Sequence, residues 1–409
     1  MYEADNEQEI TQLRIQLKRP HVNQQKVIDC NSRFIVLQCG RRFGKSTVAQ
    51  IISVKKLLSS PKSFVGYVAP TFDLCKLFYK ELIETLPAQL IKSENKAELQ
   101  IELINGSFIK FHSGEALQSF RSRKYHLVII DEAAFIPDLK DAYEQAIRPT
   151  LTDYKSGCIF ISTPNGKGYY DSLYEKGLRG EDGFTSFHFT SYDNPHIDPS
   201  EIDLAKETLP EAVFNQEYLA LSGENAGNPF GGMNTINKNI VSTLSNRPAV
   251  VYGIDLGKNN DYTVIVGLDN DKRMCYFDRF RLSWNQTKER IKQLPQKITK
   301  VIDSTGVGDA IYEDLSMNSV NNLIPFKFTG ASKPQIILEL ILAVEKGEIT
   351  YNELTAKEMS TYAFTTTSTG YIRYNAMTSY HDDTIAALSL ANSYHKHCRR
   401  ISDWKLYRC

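Results

Sequence analysis

The sequence carries no net charge: 48 Lys and Arg residues balance 48 Asp and Glu over 409 residues. That balance argues against a globally basic, histone-like binder and leaves any contact with a polyanion to local patches. Paired cysteine motifs are missing as well. Cys30, Cys39, Cys75, Cys158, Cys275, Cys398 and Cys409 are scattered, with none at C-x-x-C spacing. A zinc ribbon or dithiol redox centre is therefore not expected, and an odd, dispersed set suits a reducing compartment. No run reaches the roughly 18 apolar residues of a membrane span. The polar, acidic start MYEADNEQEITQLRIQ lacks the apolar stretch of a signal peptide. There is no internal repeat, no low-complexity tract and no HExxH. The expectation is a soluble, intracellular chain without a membrane partner. Its length predicts two or three domains, large enough to fold on hydrophobic cores without disulfides.

What is present is alternation. Phe34–Cys39, Phe64–Val68, Leu127–Ile130 and Cys158–Ser162 read as strands between helical stretches, and Leu99–His112 reads as a hairpin turning at Asn105-Gly106. Buried strands alternating with helices predict an α/β class with a mostly parallel sheet. Residues 222–249 are rich in Gly, Asn, Ser and Pro and read as a linker. Beyond it, Val250–Asp255, Tyr262–Asp269 and Met274–Leu282 form a meander, followed by a strand at Ile298–Asp303 and helices at Pro334–Lys346 and Asp383–His395. The apolar stretch IILELILAVEKG carries Glu339 and Glu345 and is a core helix rather than a membrane segment.

The first strand runs into Cys39-Gly-Arg-Arg-Phe-Gly-Lys-Ser46. This is a phosphate-binding loop pattern with its first glycine one place late. Backbone N–H groups at the helix start face phosphates. Lys45 adds a charge near the β- and γ-phosphates and the Ser46 hydroxyl can ligate Mg²⁺. The nucleotide-binding set is Gly40, Arg41, Arg42, Gly44, Lys45, Ser46, Thr47 and Asp131. Further along, His126-Leu-Val-Ile-Ile-Asp131-Glu132 ends a strand in two carboxylates. Asp131 would hold Mg²⁺ through water, and Glu132 would orient and deprotonate the attacking water. Arg41 and Arg42 can reach a γ-phosphate or remain solvated. Arg121 either serves a neighbouring subunit's nucleotide or is a surface or DNA-facing charge. Ser162-Thr163-Pro164, at a strand end, can sense hydrolysis. Gln24 can read an adenine edge, although on residue type alone it is a surface glutamine.

The second half shows no Ser–His–Asp order; it shows aspartates at strand ends. Asp255 and Asp303 each end a strand, Asp261 follows a turn, and Asp382 and Asp383 open the last helix. Converging carboxylates from strand, strand and helix suit two Mg²⁺ or Mn²⁺ ions that clamp a phosphodiester. The alternative for Asp382 or Asp383 is a helix cap. His381 is a base, a ligand or a plain polar contact.

The order of these motifs resembles the large terminase subunit of tailed bacteriophages. The likeness covers residues 18–395 and rests on Pro20-His-Val-Asn-Gln24, Gly40-Arg-Arg-Phe-Gly-Lys-Ser46, Ile130-Asp-Glu-Ala-Ala-Phe135, Ser162-Thr-Pro-Asn-Gly-Lys-Gly-Tyr169, Asp255-Leu-Gly and His381-Asp-Asp383. It implies a P-loop (ASCE/RecA-like) ATPase domain at 1–222, a linker at 223–249, an RNase H-like nuclease domain at 250–395 and a basic tail at 396–409. By the same resemblance Gln24 reads adenine, Arg41 is a cis arginine finger, and Arg121 falls near a trans finger, with Ser122 where glycine is common. Ser162-Thr163-Pro164 then couples hydrolysis to movement. Asp255, Asp303 and one of Asp382 and Asp383 are nuclease carboxylates, with Asp261 accessory. The resemblance implies an ATP-driven motor that packages double-stranded DNA and cleaves concatemers during virion assembly. It implies a portal protein and a small terminase subunit as partners, and a homo-oligomeric ring on the portal from a chain monomeric in isolation. The place of action is the host cytoplasm and the procapsid portal vertex. The competing reading is a helicase or repair translocase fused to a nuclease, which predicts a second RecA-like domain. An adaptor with degenerate sites would need Lys45, Glu132 or the aspartates to be lost.

Overall fold

The computed structural model describes residues 15–114, 120, 123–222, 228–257, 261–317, 320–366, 372–376 and 381–405. The chain divides into two compact units, Met1–Ile202 with Asn215–Gly223, and Asp203–Phe214 with Glu224–Cys409.

The first unit is built on eight strands: β1 (Phe34–Cys39), β2 (Phe64–Ala69), β3 (Ile91–Asn95), β4 (Gln100–Leu103), β5 (Phe108–Ser113), β6 (Leu127–Asp131), β7 (Gly157–Ser162) and β8 (Phe184–Phe189). Their order is β3-β4-β5-β2-β6-β7-β1-β8. From β5 to β8 every neighbour is parallel, and β3, β4 and β5 are antiparallel. Parallel strands are covered on both faces, so they read as continuous apolar runs. In β1, Ile35, Leu37 and Cys39 enter one core while Phe34 and Val36 enter the other. The Asn105-Gly106 turn is formed as expected, with Gly106 at φ +77° and the Asn105 side chain accepting from the Ser107 N–H. Strand β8 escapes the sequence reading because Phe184–Phe189 is an edge strand, only partly buried along most of its length. The carboxyl ends of β6, β7 and β1 lie side by side, the place where open α/β sheets bind ligands.

The second unit holds β9 (Val251–Asp255), β10 (Thr263–Leu268), β11 (Met274–Phe280), β12 (Thr299–Asp303) and β13 (Leu323–Phe326), ordered β11-β10-β9-β12-β13. The first three form an antiparallel meander, and β12 and β13 continue in parallel. Counted from β9, the order across this sheet is 3-2-1-4-5. A separate hairpin, β14 (Tyr362–Thr366) and β15 (Ile372–Ala376), follows. The last helix, Asp383–Lys405, packs on β9. A Cβ on Gly253 would lie 2.0 Å from the Ala387 carbonyl oxygen and 2.6 Å from the Ala391 nitrogen. Only glycine allows that approach.

Two parts of the expected layout differ. In the stretch expected as a linker, Phe230 and Ile236 are fully buried in the second unit's core. Asn228 also donates to the Met359 carbonyl at 3.0 Å. Isolated apolar residues without periodicity carry this packing, so composition alone hides it. The basic segment expected as a tail from residue 396 begins inside the last helix, which continues to Lys405. No Gly or Pro follows Asp383 to stop it. Among the described residues no helix is long and apolar enough to cross a membrane.

Gly253→Ala is expected to destabilise the second unit by about 1–3 kcal/mol, the usual cost of overpacking. Urea unfolding measures it; a variant as stable as the parent would show that the helix does not rest on β9.

Candidate functional sites

The phosphate loop is shaped by the end of β8 and by segments that follow it. The Gly40 N–H donates to the Phe189 carbonyl at 2.9 Å and the Arg41 N–H to the Glu217 carbonyl at 2.7 Å. The Ser191 hydroxyl reaches the Arg41 carbonyl at 2.7 Å, and the Asn194 amide reaches that of Arg42 at 2.7 Å. A Cβ at Gly40 would meet the Tyr218 carbonyl at 2.2 Å, which explains why glycine sits one place late in the motif. Gly44 takes φ +97° and opens the helix Lys45–Ser59 with no side-chain cap. Its first N–H groups are thus left to an anion.

Lys45 pairs with Glu132 at 2.7 Å. Glu132 stands just past β6 in the left-handed region at φ +47°. Its other oxygen accepts from the Ser162 hydroxyl at 3.3 Å, so the end of β7 touches the expected base. The Asp131 carboxylate accepts from the Tyr67 hydroxyl at 2.6 Å and from the Glu132 N–H at 3.0 Å. Burial, and then the neighbouring Glu132 charge, raise its pKa to about 6.

Of the expected nucleotide-binding residues, Lys45 meets the expected base Glu132 directly, and Asp131 adjoins them. Arg42 is exposed and Ser46 opens outward. Arg41 lies with its Nε 2.5 Å from the buried Glu217 carboxylate. Gln24 is buried and committed to the loop. Its amide donates to the Phe43 and Gly44 carbonyls at 3.2 Å, and its oxygen accepts from the His21 N–H at 3.0 Å. In this arrangement it braces the loop. Arg121 lies outside the described residues. Tyr67 and Glu217 escape the sequence reading because neither belongs to a motif; only the fold brings them in.

The second site follows from strand register. Asp255 lies opposite Val264, and Val264 opposite Arg279. Ile302 lies opposite Ile254, so Asp303 falls beside Asp255 one step on. Residues paired this way share one face of the sheet, and Val251, Val264 and Val301 place it against the core that holds the last helix. That helix starts at Asp383, while Asp382 pairs with Lys333 at 3.0 Å. Asp261, His381 and Asp383 each offer a ligand atom within 4.8 Å of the others.

Asp255, Asp303 and Asp383 hold protons more tightly than usual. Burial raises Asp255 well above the ordinary range, reinforced by Asp303, Asp383 and Asp382. Burial also raises Asp303 and Asp383. The Asp383 Oδ2 is buried without a hydrogen-bond donor. Crowded carboxylates with an unmatched oxygen and raised proton affinity fit a hard divalent cation with oxygen ligands.

The family model described as "Terminase large subunit, T4likevirus-type, N-terminal" matches residues 36–235. The terminase large subunit of Thermus virus P23-45 is 27% identical over 92% of this chain and 88% of that protein. That of Escherichia phage T5 is 33% identical over 51% of this chain and 48% of that protein. The crystal structure of a large terminase from a thermophilic bacteriophage matches in fold, with a TM-score of 0.51 and 15% identity over 92% of this chain and 99% of that one.

Raised carboxylate pKa values set a sign. The folded second unit retains protons that the unfolded chain releases above about pH 4. Its stability therefore falls as pH rises from there through the folded-state values. A divalent cation held by these carboxylates at neutral pH would replace the proton, so Mn²⁺ at 100 times its Kd is expected to stabilise by about 2.7 kcal/mol. Asp255→Asn is expected to raise the melting temperature without metal and to abolish the Mn²⁺ increment. Melting curves with Mn²⁺ and with EDTA test both; equal melting with and without Mn²⁺ would refute the site.

Proposed function

From the likeness to terminase large subunits, we propose that the chain is an ATP-driven motor that moves double-stranded DNA into a procapsid and cuts concatemeric DNA. The observation that carries this reading is the presence of two separate acidic centres on two sheets. One pairs with a phosphate-loop lysine; the other converges from β9, β12 and the last helix.

In the first centre, Mg²⁺·ATP would be held by the loop Gly40–Thr47, by Ser46 and by Asp131. Lys45 is paired to Glu132 within the chain. Phosphates entering the loop offer Lys45 a stronger partner, which frees the Glu132 carboxylate to accept a proton from water. The Ser162 contact then lets the end of β7 follow the state of Glu132. Arg41 becomes a cis finger on leaving Glu217.

In the second centre, Asp255, Asp303, Asp382 and Asp383 would hold two Mg²⁺ or Mn²⁺ ions, with Asp261 accessory. Such ions, when bound, activate water and stabilise the leaving oxygen of a phosphodiester. Arg281 is exposed, with its guanidinium 3.9 Å from the centroid of the Tyr262 ring, next to Asp261. It is suited to a DNA phosphate, a contact that is salt-sensitive and independent of sequence. The partners that fit this function are a portal protein, a small terminase subunit for site recognition, and further copies of the chain in a ring on the portal. A helicase reading asks for a second nucleotide-binding parallel sheet, but the second unit's sheet is a meander joined to two parallel strands.

Plasmid cleavage and ATP hydrolysis, measured side by side in Mg²⁺ and Mn²⁺, separate the two centres. Glu132→Gln is expected to lower ATP turnover by about 10²–10⁴-fold while leaving basal cleavage. Asp255→Ala is expected to abolish cleavage and leave ATPase intact. Cleavage by Asp255→Ala at the parent's rate would move the nuclease elsewhere.

A further inference from the structure

Next to the carboxylates, one guanidinium is shared between two acids. Arg279 lies in β11, in the same cross-strand row as Asp255. Its Cζ sits 3.8 Å from the centroid of the Tyr262 ring. Its Nη2 is 3.6 Å from Glu358 Oε1 and 3.8 Å from Asp383 Oδ2. It reaches hydrogen-bonding distance of neither. Arg279 Nε, Glu358 Oε1 and Asp383 Oδ2 are all buried without a hydrogen-bond partner.

Glu358 is held in this position by its other oxygen. That oxygen accepts from the Thr384 N–H at 2.9 Å and from its hydroxyl at 2.5 Å. Glu358, from the helix Glu353–Ser360, therefore caps the start of the last helix one residue after Asp383. One acid both fixes that helix turn and draws the guanidinium away from Asp383.

We propose that Glu358 and Arg279 are positioning residues that set how much of the Asp383 carboxylate is available to a divalent cation. The inference rests on the metal-dependent nuclease reading of the site. Arg279 competes with a cation for Asp383, and Glu358 competes with Asp383 for Arg279. Removing the Glu358 charge turns the guanidinium fully onto Asp383 and weakens cation binding. Removing the Arg279 charge releases Asp383 and strengthens it. A purely structural role would make both substitutions weaken binding, because both would loosen the first turn of the helix.

The test is Mn²⁺ titration of the full chain, read by electron paramagnetic resonance of free Mn²⁺ and by calorimetry, with no DNA present. Glu358→Gln keeps an oxygen for Thr384 and is expected to raise the Mn²⁺ Kd about tenfold, the lower end for outer residues of a metal site. Arg279→Gln is expected to lower it. Should Arg279→Gln fail to fold with Glu358 unbalanced, the double variant Arg279→Gln/Glu358→Gln restores neutrality and is expected to bind more tightly than Glu358→Gln alone. Shifts of the same sign, or a double variant no tighter than Glu358→Gln, overturn the proposal while the metal site stands. If the parent binds no Mn²⁺, or Asp255→Asn binds it equally well, the metal reading falls and this proposal falls with it.

Discussion

The second unit depends on how closely a helix backbone approaches a strand. Gly253 lets the last helix settle on β9 with Ala387 and Ala391 against the strand. That contact brings Asp383 to the face already carrying Asp255 and Asp303. Three carboxylates raised chiefly by burial then stand together, and Asp255 is raised further by the charges of the other two. Such crowding opposes folding and persists because the helix, the sheet and their core over-determine the geometry. Lys333 and Arg279 offset part of the charge.

The first unit treats charge the opposite way. Its acids have partners inside the chain: Glu132 meets Lys45, Asp131 meets Tyr67 and Glu217 meets Arg41. A ligand here must exchange partners, whereas a cation in the second unit supplies one that is short. Nucleotide binding in the first unit is thus a rearrangement with small net change in charge pairing, and cation binding in the second relieves a standing excess.

Much of this was legible in the residues. The parallel strands appear as unbroken apolar runs because both of their faces are covered, and the loop and its acidic partner follow strands, as their chemistry demands. The aspartates at strand ends could be grouped because β9, β12 and the last helix are each recognisable. Tyr67 and Glu217 could not be assigned, and the bracing role of Gln24 could not be read, since each acts through a hydrogen bond across the fold that leaves no spacing pattern. Arg279 and Glu358 were hidden for a related reason: cross-strand register decides which of the charges in Phe277-Asp-Arg-Phe-Arg281 faces the carboxylates. Phe230 and Ile236 show the limit of composition, because two buried apolar residues suffice to fix a stretch that otherwise reads as loop.

The chain crosses between its two units more than once, and this constrains its descent. Residues 203–214 belong with the second unit and 215–223 with the first. Val213 is buried in one core, while Glu217, four positions later, holds the Arg41 loop of the other. A genetic crossover before residue 203 would import a foreign strap onto the resident phosphate loop. A crossover after residue 223 would leave a resident helix in a foreign core. No single breakpoint exchanges one unit for a foreign one without mixing the two.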